Sequence, residues 1–378
     1  MGTLYKGRGT GLDRIAYIDF INYVFGFNGA NEDFLKLLPK LYKEEYDPCH
    51  NSFVVTEDGE FRAAVGVFPR TVSVMGETLV SHGIGNVAVH GRYRSKGYMK
   101  DCMHLALDDM IAAGADFSDL GGQRQRYNYF SYEACSPARH FSISANNLRH
   151  CFAGVPYHPV TFRRLEASDT ELLDRAWELH EKKPFHVVRP REQFFDIVCS
   201  GYSGITAILD GERFCGYFAS ELSELTLADP ADFDNVIRTY VAERGTANVT
   251  FPEWETAFCR RAWEICEGTS WENTVMISVF HFEKVVRAML RFKASYTALC
   301  GGSAVYRVNG IAGTETFEVT VKNNEVTVCA SDKEPTLTLE HRAAMSYFFG
   351  EFSPDRGRIA GDSAWFPLPI YLYGADHV

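Results

Sequence analysis

The sequence predicts an α+β protein, and three stretches of its 378 residues carry that expectation. Residues 84–120 run strand, basic turn, amphipathic helix, strand. Two hairpin signals, Glu57-Asp58-Gly59 and Met75-Gly76-Glu77, precede that segment, each set between apolar runs. From Val305 onward alternation dominates, through Phe317, Val319 and Val321, the turn Asn323-Asn324, then Val326 and Val328. A chain of this length is two or three domains rather than one.

In chain order, residues 13–45 read as helical. Ile15, Ile18, Ile21 and Phe25, then Phe34, Leu37, Leu38 and Leu41, form the apolar faces, and Asn28-Gly29-Ala30-Asn31 breaks the segment into two helices. Strands at 53–55 and 62–68 flank the first hairpin turn. Val72 and Val74, then Leu79 and Val80, flank the second. A strand over 84–89 feeds the turn 90–97. The next helix repeats Met99, Met103, Ala106, Met110 and Ala113 at steps of three or four, and Gly114 closes it. Ala115, Phe117 and Asp119 alternate as another strand. The run Gly154-Val155-Pro156-Tyr157-His158-Pro159 marks a boundary. Beyond it come an acidic helix at 168–182, an element over 187–199, and a hairpin turning at Asp210-Gly211-Glu212. A helix at 283–292 opens the last unit, Leu337 and Leu339 form a short strand, and 341–350 reads as a helix.

Composition narrows the class of protein. At 46% hydrophobic and 23% charged, the chain has apolar material for several cores. No apolar run approaches the ~20 residues of a membrane span. The N-terminal stretch lacks the apolar core of a signal peptide, and Lys6 breaks the myristoylation pattern, so a cytoplasmic location is expected. Ten cysteines without CxxC pairs, such as Cys199, Cys215 and Cys329 in apolar stretches, are expected as buried reduced thiols. No His/Cys cluster has zinc spacing, so no metal is expected. A formal charge of −11 argues against nucleic acid as a partner and fits a cationic substrate only weakly.

The chemistry concentrates in 84–133. A strand, a basic turn and a helix N-terminus make an anion site, because unpaired N–H groups and the helix dipole converge there while Arg92, Arg94 and Lys96 add charge. Val87-Ala88-Val89 followed by Arg94-Ser95-Lys96-Gly97-Tyr98-Met99 resembles motif A of the GNAT N-acetyltransferases, R/Q-x-x-G-x-G/A. Met99 stands where a small residue is usual. A bulky residue there is a trait of the Eis-like (enhanced intracellular survival) subgroup, which also has this chain length. Gly121-Gly122-Gln123 permits close backbone approach to a ligand. The stretch Arg126-Tyr127-Asn128-Tyr129-Phe130-Ser131-Tyr132 is similar to the FY-x-x-x-G-F/Y element that closes many such domains, with Ser131 in place of glycine.

The resemblance implies tandem GNAT folds, with mixed and mostly antiparallel sheets flanked by helices, and a sterol-carrier-like α+β domain. It divides the chain into a catalytic domain at 1–155, a degenerate GNAT domain at 156–287 and the C-terminal domain at 288–378. The second unit departs from motif A at Asn248-Val249-Thr250-Phe251-Pro252-Glu253-Trp254-Glu255, whose carboxylates would repel phosphate. Acetyl-CoA is the implied cosubstrate. Val87, Ala88 and Val89 would hold its pantetheine arm and thioester; Arg94, Ser95, Lys96, Gly97, Tyr98, Met99, Lys100, Gly122 and Gln123 complete its site. Tyr127 matches the general acid that protonates the coenzyme A thiolate, a role open to a phenol of pKa ~10. The α-carboxylate of Val378 would be the base, directly or through water. The acceptor would be a primary amine, an aminoglycoside or polyamine in that subgroup. The assembly would be a homo-oligomer, a hexamer there. Two other classes stay open: a non-catalytic lipid or small-ligand carrier, and a coenzyme A-binding regulatory protein.

Other constellations are weaker. Cys135 and His140 lack an orienting partner for a thiol nucleophile. His82, His90 and Glu133 read as satisfied polar residues, and Glu44-Glu45 with Asp47 as a solvated helix end.

Overall fold

The computed structural model describes residues 3–27 and 33–378. The break expected at Asn28-Gly29-Ala30-Asn31 lies outside the described residues. The helical expectation for 13–45 resolves into one helix, Arg14–Gly26, and two single turns, Phe34–Leu37 and Pro39–Tyr42. Tyr17, Ile18, Phe20, Ile21 and Val24 are the buried face of the helix, whereas Ile15 points to solvent.

The N-terminal region contributes β1 (Leu4–Arg8), β2 (Ser52–Glu57), β3 (Glu60–Val74), β4 (Glu77–Val89), β5 (Phe117–Leu120) and β6 (Glu133–Ser144). Both hairpin turns sit where the sequence puts them. Asp58 and Gly59 have φ of 54° and 81°, and Met75 and Gly76 have 51° and 85°, the left-handed pair that matches strand twist in a two-residue hairpin. The helix Tyr98–Ala112 begins after Gly97 and buries Cys102, Met103, Ala106 and Met110 against the sheet. Gly114, at φ 74°, ends that turn of chain. β5 is buried at all four residues and runs parallel to β4.

The next region contributes β7 (Thr161–Arg164), β8 (Phe185–Val187), β9 (Ile205–Asp210), β10 (Arg213–Ala219), β11 (Glu224–Leu227), β12 (Thr246–Phe251) and β13 (Gly268–Val279). Only four of these form a sheet of their own, in the order β11-β10-β9-β7. The other three join the N-terminal strands. The nine-stranded sheet runs β1-β2-β3-β4-β5-β13-β6-β12, with β8 paired to β3 off that path. β13 lies between β5 and β6, antiparallel to both, with Val279 opposite Phe117 and Ile277 opposite Glu133.

The last sheet has the order β16-β15-β14-β17, from β14 (Gly302–Gly310), β15 (Gly313–Lys322), β16 (Glu325–Ala330) and β17 (Leu337–Glu340). The helix Phe282–Tyr296 lays Val285, Val286, Met289 and Leu290 on it, and His341–Phe348 packs alongside. Tyr306, Tyr347, Phe348 and Phe366 fill the interior, with ring centroids 5.0–5.7 Å apart across four pairs. The architecture is α+β, with mixed and mostly antiparallel sheets flanked by helices. No helix among the described residues is long and apolar enough to cross a membrane. All ten cysteines are unpaired, but Cys151, Cys300 and Cys329 face solvent, so burial is not general to them.

Candidate active site

β4 is paired on both sides only across its middle and on one side from Gly85 onward. β5 accompanies it only from Ser81 to Ile84, opposite Phe117 to Leu120, while β3 stays with it to Val89. The His90 N–H donates to the Arg62 carbonyl at 2.9 Å, which sets the phase of the antiparallel ladder. Ala88 exchanges its bonds with Ala64, and the N–H and C=O of Val89 point away from β3 into the gap. Just before, Asn86 and Val87 together oppose Val65, and Asn86 takes φ 53°. Such a bulge adds twist and bends a strand from its neighbour. An extended chain entering the gap would find strand-edge groups ready to pair.

The gap opens into a cleft of about 780 Å³. Val87 and Val89 line it, together with the loop residues Arg94, Ser95 and Gly97, the first helical residues Tyr98, Met99 and Lys100, and Gln123. The loop needs two left-handed residues, Ser95 at φ 67° and Gly97 at 84°. Immediately after Gly97 the helix starts, so its first-turn N–H groups lack intrahelical partners and face the loop. Arg94, Lys100 and Arg126 add positive charge to the rim. This combination suits a phosphate-bearing ligand with an extended amide arm.

Three of the twelve residues expected at the cofactor lie outside that lining. Ala88 packs into the core beneath the helix Arg14–Gly26. Lys96 pairs with Glu57 at 3.4 Å and lies 4.4 Å over the Tyr93 ring. Gly122, at φ 129°, abuts a neighbour: a Cβ there would sit 2.9 Å from Tyr127 Cε2. Conversely, Val24, Tyr93 and Arg126 line the cleft without having been singled out for it.

The tyrosine-rich stretch separates into three environments. Tyr129 is exposed, with Lys100 4.4 Å over its ring. Tyr132 is buried and donates to Ser118 Oγ at 2.7 Å, a structural bond. Tyr127 is buried in the core cluster against which Val87, Val89 and Met99 pack; its N–H donates to the carbonyl of the cleft residue Gln123 at 3.3 Å, and its side chain is not among those lining the cleft. Burial pushes its phenol above the usual value, so it holds its proton at neutral pH. Ser131, at φ 65°, stands where glycine is usual and adopts the conformation that favours glycine.

Chain termini are commonly loose, but residues 373–378 are gripped from three elements. Lys40 Nζ donates to the carbonyls of Ala375 and His377, both at 2.5 Å. Arg70 donates to the Asp376 carbonyl and pairs with Asp119. Arg189 binds both Asp376 carboxylate oxygens at 2.8 and 3.0 Å, and both Glu224 oxygens at 2.9 Å. Arg189 is 1% exposed, so these bonds form away from water, where charge-assisted pairs are strongest. Burial pushes the Lys40 ammonium down to about 7, against the pull of Asp376. Val378 ends against β4. A Cβ on Gly83 would lie 2.7 Å from Val378 Cγ2, and one on Gly85 would lie 2.9 Å from the Val378 carbonyl carbon. Two glycines on one strand face thus make room for the last residue, one position before the bulge at Asn86. The Gly83-x-Gly85 spacing is the sequence signal for such an approach. Lys40, Arg70 and Arg189 had none.

His82 departs from the expectation of a satisfied polar residue, being buried with Nδ1 lacking a hydrogen-bond partner among the described residues, while the other weaker candidates are engaged elsewhere. Glu133 accepts from Arg124 at 2.5 and 2.8 Å. His90 accepts from the Arg92 N–H and stacks on Tyr23. Cys135 is fully buried and burial drives its thiol far up, while His140 bonds Thr250 Oγ1 at 2.8 Å. Asp47 caps the turn at Cys49 and His50. Among the described residues no group of three or more His, Cys, Asp or Glu could hold a metal ion.

Comparison with known proteins bears on this geometry. Residues 10–134 match the family described as acetyltransferase (GNAT) domain. The chain is similar along its whole length to three solved structures. A GCN5-related N-acetyltransferase from Kribbella flavida is 16% identical, with a TM-score of 0.66 over 100% of this chain and 99% of that one. A conserved Enterococcus faecalis V583 protein is 13% identical, with a TM-score of 0.67 over 100% of both chains. Eis1 from Mycobacterium abscessus is 12% identical, with a TM-score of 0.66, again over 100% of both. At these identities the likeness is one of fold. No curated protein matches the chain in sequence. The open strand, the basic loop at the helix start and the matched residues 10–134 agree: the chain carries an acetyltransferase domain of the GNAT type.

Proposed function

We propose that the protein transfers acetyl from acetyl-CoA to a primary amine by direct attack, in the manner of Eis-like enzymes. Residues 1–155 then form the catalytic domain, 156–287 a degenerate GNAT domain and 288–378 a sterol-carrier-like domain. The observation that carries the proposal is the half-open strand β4, which presents Val89 backbone groups to a basic cleft on one side and the docked Val378 on the other.

The roles follow from the chemistry. Arg94, Lys100, Arg126 and the first-turn N–H groups after Gly97 hold the coenzyme's phosphates. Val87 and Val89 pair with the amide arm and steady the thioester carbonyl, whose oxygen gains charge as the amine adds. The acceptor enters as an ammonium of pKa ~10 and must lose a proton before it attacks. Val378 carboxylate accepts that proton, directly or through water. A C–N bond forms, the C–S bond breaks, Tyr127 gives its proton to the departing thiolate, and the second proton shed by the nitrogen returns to Tyr127 through solvent. The products are an N-acetylated amine, free coenzyme A and one proton.

Release of coenzyme A thiol from acetyl-CoA, measured with aminoglycosides, polyamines, lysine peptides and arylamines, tests the proposal. Acceptor-dependent release supports it, and Tyr127→Phe should lower turnover roughly tenfold or more. Bound acetyl-CoA without release for any amine would favour a coenzyme A-binding regulatory protein instead. The aromatic rings that fill the C-terminal unit weigh against a lipid carrier. Light scattering checks the homo-oligomer, a hexamer, that goes with the Eis-like assignment.

A further inference from the structure

A second cleft, of about 380 Å³, lies beside the docked tail, with Val378 among its lining. Leu41, Phe68, Pro69, Val80, Val187 and Ile197 give it apolar walls. Its walls come from the Pro39–Tyr42 turn, β3, β4 and the 187–197 segment, so both halves of the chain build it.

The charged groups around this cleft are already matched. Lys40, Arg70, Lys183 and Arg189 already have partners: Lys40 donates to the Ala375 and His377 carbonyls, Arg70 pairs with Asp119, Lys183 with Glu224, and Arg189 with Glu224 and Asp376. Asp376 is the only acidic side chain among the described lining residues, and Arg189 occupies both its oxygens. Lys183 lies 3.9 Å over the Tyr373 ring and 3.3 Å from Glu224. One amine can be served here, by giving up its proton to Val378. Each further ammonium would meet alkyl groups and guanidiniums with no carboxylate to pair, and a desolvated unpaired charge is costly.

Resting on the acetyl-transfer reading above, we infer that this cleft is the acceptor site and that it takes a primary monoamine with an apolar body, not a polycation. The amine nitrogen forms the C–N bond as C–S breaks, and its surplus proton leaves through Val378. The apolar remainder of the molecule sits between Phe68 and Ile197.

The test compares 2-phenylethylamine, spermidine and kanamycin as acceptors at saturating acetyl-CoA, reading thiol release. The expected kcat/KM for 2-phenylethylamine exceeds the other two at least tenfold, the lower end of what apolar pocket contacts discriminate. Val188 lines the cleft and is 37% exposed, so Val188→Glu can add a carboxylate without entering the core. That variant should narrow the ratio against spermidine tenfold or more. Preference for spermidine or kanamycin in the wild-type protein overturns the inference. Absence of thiol release with every amine would instead remove the transfer reading. The cleft is then judged by melting temperature with coenzyme A present. A rise with 2-phenylethylamine and none with equimolar spermidine supports the monoamine site, and the reverse or no rise overturns it.

Discussion

Two strand–turn–helix segments of the chain have the same order and opposite uses. In the first, β4 leads through Gly97 to the helix Tyr98–Ala112; in the second, β12 leads through residues 252–255 to the helix Thr256–Ile265. The first turn carries Arg94 and two left-handed residues, and faces a cleft. The second carries Pro252, Glu253, Trp254 and Glu255. Tyr296 donates its hydroxyl to Glu253, and burial pushes the Glu255 carboxyl up. Trp254 packs against Phe185 and Phe292 at 5.2 Å and Tyr371 at 5.8 Å. The place that opens onto a basic cleft in one segment is thus filled by carboxylates and packed aromatic rings in the other. Secondary structure alone does not make an anion site; side-chain charge and an unpaired strand edge do.

The contrast can be broken in order of expected effect. Extending the chain beyond Val378, or Gly85→Ala, which forces the Val378 carbonyl away, should lower kcat by about 10²- to 10³-fold, roughly 3–4 kcal/mol. The acetyl-CoA Kd should hold within a few-fold; unchanged turnover in both would put the base elsewhere. Next in size is a stability effect at the join between units. His341, on the last unit, shares a 2.9 Å bond with Ser278 on β13 and accepts from the Ile311 N–H. Burial pushes His341 down to about 4 from its ordinary 6.5. The unfolded chain therefore binds the proton first as pH falls, and stability is lost between about 6.5 and 4. Chemical denaturation of His341→Gln should show that slope reduced by up to roughly 3 kcal/mol over the window. An unaltered slope would assign the loss to other groups.

Smaller effects sharpen the comparison within the two turns. Arg94→Ala should raise the KM for acetyl-CoA about tenfold, near 1.4 kcal/mol, with kcat little moved, as for lost ground-state binding. Its counterpart, Glu253→Gln, should leave one acetyl-CoA bound per chain by calorimetry. A second equivalent in that variant would mean that charge alone had silenced the second turn.

What was legible in the sequence was local. Both hairpins and the β4–turn–helix segment follow from spacing and turn chemistry within about thirty residues, and the resemblance to motif A points to Val87, Val89 and Arg94 to Met99, all of which except Lys96 line the cleft. Lys96 lies outside the cleft lining because Glu57, 39 residues earlier, pairs with it. Gly122 reads as a ligand-approach glycine until the Tyr127 ring is seen against it. β1 and β6 carry no clean alternation and went unread. β13 begins with the exposed run 268–273 and finds its place only through partners some 130 to 160 residues away. The tail clamp is invisible for the same reason: Lys40 and Arg189 are single basic residues in ordinary surroundings, joined to the tail at separations of 335 and 187 residues.

The insertion of β13 between β5 and β6 also bears on how the protein is made. When a nascent chain has emerged only to residue 155, β5 and β6 each lack the neighbour that will later fill the space between them. Bare strand edges are templates for pairing with the wrong chain. Contacts of such long sequence separation form slowly, because much chain must be ordered before they contribute. A fragment ending at 155 should aggregate on expression, and co-expressing 156–378 should rescue it by supplying β12 and β13 in trans. Synthesis thus reaches the basic loop before Tyr98 early, yet the sheet that frames it waits for Val279.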